Sequence, residues 1–249
     1  MKKLYIIKIG TTFRSVKERL GDFDQWTADA LGPIGVNVGT VDAEHGEPLP
    51  EVGGCAGVVI TGSHTMVTDN MDWSLRLEEW LKALLEAQVP IFGICYGHQL
   101  LARAAGGEVG FHSEGIEIGT VMVWRLPECS SDPLFAELPE SFPAHTTHSQ
   151  TVLKLPSRAV RLAANEHEAN HAFRLGACAW GVQFHPEYTA EIMLAYIREQ
   201  TKEIEAAGRG VSRLMSEVSE TPIATGILKR FGEFVEGRLT EDGLTSVRR

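Results

Sequence analysis

Apolar residues gather into four short runs within the first hundred positions: 4–9, 36–41, 57–60 and 90–94. Runs this short, apolar almost throughout rather than at alternate positions, suit strands buried on both faces. Between the third and fourth, Trp73, Leu77, Trp80, Leu81, Leu84 and Leu85 recur at three- and four-residue intervals. That spacing is one face of an amphipathic helix, and its expected role is core packing. Strands alternating with helical segments predict an α/β fold on a mostly parallel, doubly wound sheet. Ligands of such sheets gather beyond the carboxyl ends of the strands, where Gly62 and Cys95 both fall.

From 106 to 181 the pattern changes to short segments rich in Val and Thr, interrupted by Pro127, Pro133, Pro139, Pro143 and Pro156. This predicts a small antiparallel portion, strands and loops appended to the parallel sheet. A further apolar run at 177–184 reads as a strand, and 190–200 as a helix with Ile192, Tyr196 and Ile197 on one side. Past Thr201, the residues Ile223, Ile227, Leu228, Phe231, Phe234 and Val235 form a second amphipathic stripe. The expected organisation is one domain over 1–200 and a helical extension over 201–249. The stripe would cover the sheet's outer face or a symmetry mate, which leaves a homo-oligomer open, or it would dock a partner. The stretch 22–31, with Phe23 and Trp26, follows the first strand closely enough to overhang a site at the sheet edge.

Composition narrows the function. The 249 residues are 43% hydrophobic and 22% charged, as in an ordinary globular domain. A net charge of −10 leaves no basic stripe to neutralise phosphates, so neither nucleic acid nor an anionic membrane is an expected partner. Lys8 cuts the first apolar run too early for a signal peptide, and no run approaches the length of a membrane span. Cys55, Cys95, Cys129 and Cys178 are scattered without C-x-x-C spacing, which suits a reducing compartment; a cytoplasmic location is expected.

One of these cysteines stands apart. Cys95 lies in PIFGICYGHQLLARAAGG, where an apolar strand gives way to a helix running from about Gln99. Gly93 and Gly97 frame it in a G-x-C-x-G elbow, the sulfur counterpart of the serine nucleophile turn. Glycine there would supply permissive dihedrals and close strand–helix approach, and the helix start would direct N–H groups at the sulfur. A nucleophile needs a base. WGVQFHPEY offers His185 and Glu187 around Pro186, at the end of the 177–184 strand, so the carboxylate can fix the imidazole's tautomer. The pairs His145/His148 and His167/His171 lack a cysteine or paired carboxylate at ligand spacing, so no metal is expected.

Together these two motifs are similar to those of class I (triad-type) glutamine amidotransferases, in the style of the glutaminase domain of GMP synthase in stand-alone form. The resemblance runs from about Met1 to Ile197 and implies a flavodoxin-like sheet. It implies Cys95 as nucleophile, His185 as acid–base and Glu187 as its orienting partner. The oxyanion hole would come from Gly62, Ser63 and the Tyr96 N–H, and Gln99, His148 and Gln150 would face the substrate. No cofactor is implied. Two positions depart from the pattern: Ser63 stands where a second glycine is usual, and Gln150 where His-x-Asp places a carboxylate suited to the substrate's α-ammonium. The expected substrate is glutamine or another γ-glutamyl amide. The chain carries no phosphate-binding P-loop and no S-G-G-x-D-S motif. Ammonia would therefore pass to an acceptor on a separate synthetase subunit, or the protein would act alone as a γ-glutamyl peptidase. A third reading is a catalytically idle binding or regulatory module.

Overall fold

The computed structural model describes residues 2–246, so Val247 to Arg249 of the expected extension lie outside the described residues. In chain order the elements are β1 (Lys3–Lys8), α1 (Arg14–Leu20), α2 (Phe23–Leu31), β2 (Val38–Asp42), β3 (Cys55–Ile60), α3 (Asp72–Glu86), β4 (Ile91–Ile94) and α4 (Tyr96–Ala104). There follow β5 (Glu108–Phe111), β6 (Glu117–Arg125), β7 (Ser141–His148), β8 (Gln150–Lys154), β9 (Ala159–Ala164), β10 (Ala172–Leu175) and β11 (Ala179–Val182). The chain closes with α5 (Ala190–Glu199), α6 (Thr201–Ala206), α7 (Val211–Ser216) and α8 (Pro222–Ser246).

Strand alternation decides which helices cover which face. In β1, Leu4 and Ile6 point to one side, with Val59, Phe92 and Ile94 of the neighbouring strands. Ile7, and Ile9 just past the strand, pack on the other, with Val58, Ile60 and Ile91. The second side receives Leu77, Leu81 and Leu84 of α3 and Leu100 and Leu101 of α4. The first is covered by α8, whose Ile227, Leu228, Phe231 and Val235 are fully buried. Phe231 meets Phe92 at 5.3 Å between ring centroids, and Phe234 meets Trp180 edge-on at 5.0 Å. Gly57 makes room for the helix, since a Cβ there would lie 2.7 Å from Val235 Cγ2. The polar residue that ends β1 is matched as well: buried Lys8 pairs with Asp22 at 3.0 Å and Asp42 at 3.7 Å.

The nine-stranded sheet has the order β2-β1-β3-β4-β11-β10-β9-β6-β7. Its first five strands are parallel, as expected of the doubly wound half. The antiparallel portion is appended to it, as expected. β10, β9, β6 and β7 continue the same sheet, while only β5 and β8 form a separate two-stranded sheet. The reason lies in β11. It pairs β4 in parallel on one edge and turns through Gly176 (φ 57°) into a hairpin with β10 on the other. Parallel and antiparallel halves thus share one strand, and that strand leads directly to His185. Among the described residues no helix is long and apolar enough to cross a membrane.

Candidate active site

Between the last residue of β4 and the first of α4 stands a single residue, Cys95, with φ 50° and ψ −97°. A side chain at positive φ costs of order 1–3 kcal/mol and persists only where its surroundings enforce it. Here the Cys95 N–H donates to Val182 O at 2.8 Å, and its carbonyl accepts from Gln99 N at 3.1 Å. The framing glycines serve one of the two expected purposes. Neither Gly93 nor Gly97 has a positive φ. A Cβ on Gly93 would lie 2.4 Å from Gly97 O, and one on Gly97 would lie 2.7 Å from Ile60 O. They allow close approach, while the unusual dihedral falls on the cysteine itself. The helix also begins at Tyr96 rather than near Gln99, so its first N–H groups open directly beside the sulfur.

His185 reaches the same place from β11. Its N–H donates to His145 O at 2.8 Å, its Nδ1 meets Glu187 Oε1 at 2.7 Å, and both side chains are buried. Tyr188 stacks on the imidazole at 4.1 Å between centroids. A Cβ built on Gly62 would lie 3.0 Å from His185 Cε1 and 3.8 Å from Cys95 Cβ, so the three residues converge on one point. Burial opposes a charged imidazole here, but the charges of Glu187 and Cys95 outweigh it and raise the His185 pKa to about 10. The nearby rings of His64 and His145 go the other way. Burial and the His185 charge push both down to about 4.

Cys95, His185, Tyr188 and His64 line a cleft of about 530 Å³. Of the other expected residues, Ser63, Tyr96, Gln99, His148 and Gln150 line it too, whereas Gly62 and Glu187 do not. Their details differ. The N–H groups of Gly62, Ser63 and Tyr96 donate to no protein acceptor among the described residues, whereas the Ser63 hydroxyl is held by Thr65 at 2.8 Å. Gln99 spends its amide donor inward, on Gln150 O at 2.7 Å and Gln183 Oε1 at 3.0 Å. His148 is also committed inward: its Nδ1 donates to Gln150 O at 3.0 Å and its Nε2 faces Glu117 at 3.1 Å. The His148 ring therefore braces the wall rather than reaching into the space.

Several neighbours were not anticipated. Glu117 sits between His148 and His171, 3.3 Å from the latter. Burial alone would raise its pKa, but hydrogen bonds and charge from the two imidazoles hold it well below the usual carboxylate range. Gln183, fully buried, donates from Nε2 to the Cys95 sulfur at 3.4 Å. Phe13, Phe23, His64 and Tyr196 form an aromatic outer wall, while Glu199, Gln200 and Glu203 stand on the facing helices. Among the described residues no lysine or arginine lines the cleft. Phe23 is the first residue of α2, so the 22–31 stretch does border this space.

Fold and site together define a sheet-edge cysteine–histidine centre. Residues 18–202 match the family described as glutamine amidotransferase class-I, and the chain belongs to that family. It is 31% identical over 143 residues to γ-glutamyl peptidase 5 of Arabidopsis thaliana, a match covering 57% of each chain. It is 37% identical over 142 residues to the glutamine-hydrolysing GMP synthase of Porphyromonas gingivalis, covering 56% of this chain and 26% of the synthase. The match thus spans little more than half the peptidase and about a quarter of the synthase. In fold, the chain is similar to a glutamine amidotransferase from Thermotoga maritima, with a TM-score of 0.72 and 21% identity over 95% of this chain and 99% of that one.

Proposed function

We propose that the protein hydrolyses γ-glutamyl amides, glutamine being the simplest, through a γ-glutamyl thioester on Cys95. The observation that carries this reading is the buried His185, bound through Nδ1 to Glu187 and converging with Cys95 of a strained elbow on Gly62. In the first half-reaction the Cys95 thiolate attacks the side-chain carbonyl. A C–S bond forms and the carbonyl π pair moves onto oxygen, which the N–H groups of Gly62, Ser63 and Tyr96 receive. One such donor is worth about 3 kcal/mol in the transition state. The His185 imidazolium gives its Nε2 proton to the amide nitrogen, the C–N bond breaks, and ammonia or an amine leaves. In the second half-reaction His185 Nε2 takes a proton from water, whose oxygen attacks the thioester. The C–S bond then breaks, glutamate is released and the thiolate returns. Glu187 holds Nδ1 throughout. Gln99, through its unused amide oxygen, and Gln150 contact the glutamyl part, and His148 holds the backbone that positions them.

This reading predicts that release of glutamate and ammonia from glutamine stops when Cys95 is replaced by alanine. Equal rates in wild type and Cys95→Ala would remove the elbow from the mechanism. Two acceptor arrangements follow from the family: ammonia passed to a synthetase on a separate subunit, or water as the only acceptor. The second is favoured by Gln150, where a carboxylate for the α-ammonium was expected, and by the likeness to a plant γ-glutamyl peptidase. Turnover of γ-glutamyl dipeptides at least as fast as glutamine supports it, and a strong preference for glutamine excludes it.

A further inference from the structure

We infer that Gln183 is a hydrogen-bond donor to the reacting sulfur, held in that orientation by Gln99. The inference concerns the same site and rests on the reading of Cys95 as its reactive group. It begins at Gln150 O. A backbone carbonyl can only accept, so the Gln99 side-chain atom 2.7 Å away must be its amide nitrogen. That nitrogen also contacts the Gln183 side chain at 3.0 Å, and the atom it contacts must therefore be oxygen. The remaining end of the Gln183 amide is then nitrogen, and it lies 3.4 Å from Cys95 Sγ. The usual ambiguity of amide orientation is removed by the chain of contacts. His148 fixes its origin, because Nδ1 donates to the same Gln150 carbonyl.

The relay is buried throughout: Gln183 is fully inaccessible, Gln99 is 4% exposed and Gln150 is 1% exposed. A polar side chain so deeply placed is retained at a cost unless each group is satisfied, and here one N–H of Gln183 is satisfied by sulfur. Hydrogen bonds to charged partners are stronger than those to neutral ones, so the contact favours the sulfur in its anionic state. Gln183 thus touches the reacting atom, whereas Gln99 acts through it as a positioning residue.

The test is alkylation of Cys95 by iodoacetamide across pH, a readout that needs no substrate turnover and stays informative if no γ-glutamyl compound is hydrolysed. Gln183→Met keeps the volume and removes the N–H. It is expected to slow alkylation at neutral pH about tenfold, as loss of a charge-assisted hydrogen bond implies. Gln99→Met should give a smaller change in the same direction, and the double variant should be no worse than Gln183→Met, because Gln99 works through Gln183. A wild-type profile in folded Gln183→Met overturns the inference. If that variant does not fold, the Gln183 side-chain amide resonances of the wild-type protein decide. They should shift on alkylation of Cys95 and follow its titration in the unmodified protein, and resonances indifferent to both overturn the inference equally.

Discussion

Replacing Glu187 with glutamine removes one charge and leaves the shape of the site almost unchanged. In the native protein Glu187 Oε1 meets His185 Nδ1 at 2.7 Å, with both side chains all but inaccessible to water. A charge-assisted hydrogen bond in such a setting is worth about 1.5–3 kcal/mol, so Glu187→Gln should lower kcat roughly ten- to a hundredfold, each 1.36 kcal/mol being tenfold. A second signature follows from the raised His185 pKa. Burial disfavours the imidazolium, Glu187 and Cys95 restore it, and the folded value of about 10 lies above the ordinary 6.5. A group raised in this way stabilises the fold fully below its unfolded pKa, and that stability is lost as pH rises through the folded one. The stability gap between wild type and Glu187→Gln should therefore be largest below about pH 6.5 and close as pH approaches 10. The alkaline limb of the pH–rate profile, where the proton donor is lost, should move downward in the variant. Glutamate release measured across pH, with urea unfolding at pH 6 and pH 10, checks all three expectations. Wild-type kcat with an unmoved alkaline limb would refute the role given to the carboxylate.

Gly93→Ala places a methyl 2.4 Å from Gly97 O, a backbone atom that cannot swing aside. It should lose about 1–3 kcal/mol of stability by overpacking, measured by denaturant unfolding, with Cys95 alkylation slowed as the elbow is pushed open. Phe231→Ala empties a fully buried site against Phe92 and Trp180 and should cost about 3–5 kcal/mol; a loss below 1 kcal/mol would mean that α8 contributes little to the fold. Because Glu199 and Glu203 line the cleft without a lysine or arginine among the described residues, γ-glutamyl dipeptides whose leaving residue has a cationic side chain should outrun those whose leaving residue has an acidic one. Comparison of kcat/KM for the two classes at low and high salt checks this, and Glu203→Lys should narrow the difference.

What the sequence made legible was what local pattern encodes. The runs beginning β1, β3 and β4 are apolar because both of their faces are covered, and α3 shows its core face at regular intervals. The two motifs carrying Cys95, His185 and Glu187 were legible because elbow and partner each occupy a few adjacent residues, and they lie together at one edge of the sheet. The start of α4 was misread because Gly97 looks like a turn residue, although a close approach to Ile60 O is what requires it. Strand order could not be read, since nothing local in 106–181 says in which order β10, β9, β6 and β7 extend the central sheet or that β5 and β8 pair apart from it. The same limit hid Glu117 and Gln183. Each owes its position to register between distant strands and helices: Gln183 to β11 beside β4 and α4, Glu117 to β6 opposite β7. Lys8 looked like an interruption because its partner Asp22 lies past a loop and a helix.

The left-handed backbone at Cys95 also bears on the durability of the chain. Glycine accepts that conformation freely, but Cys95→Gly would relieve the backbone only by leaving the buried Gln183 N–H without its sulfur. The same side chain that makes the turn costly also fills and satisfies its surroundings, so stabilising this chain for use means looking everywhere except there.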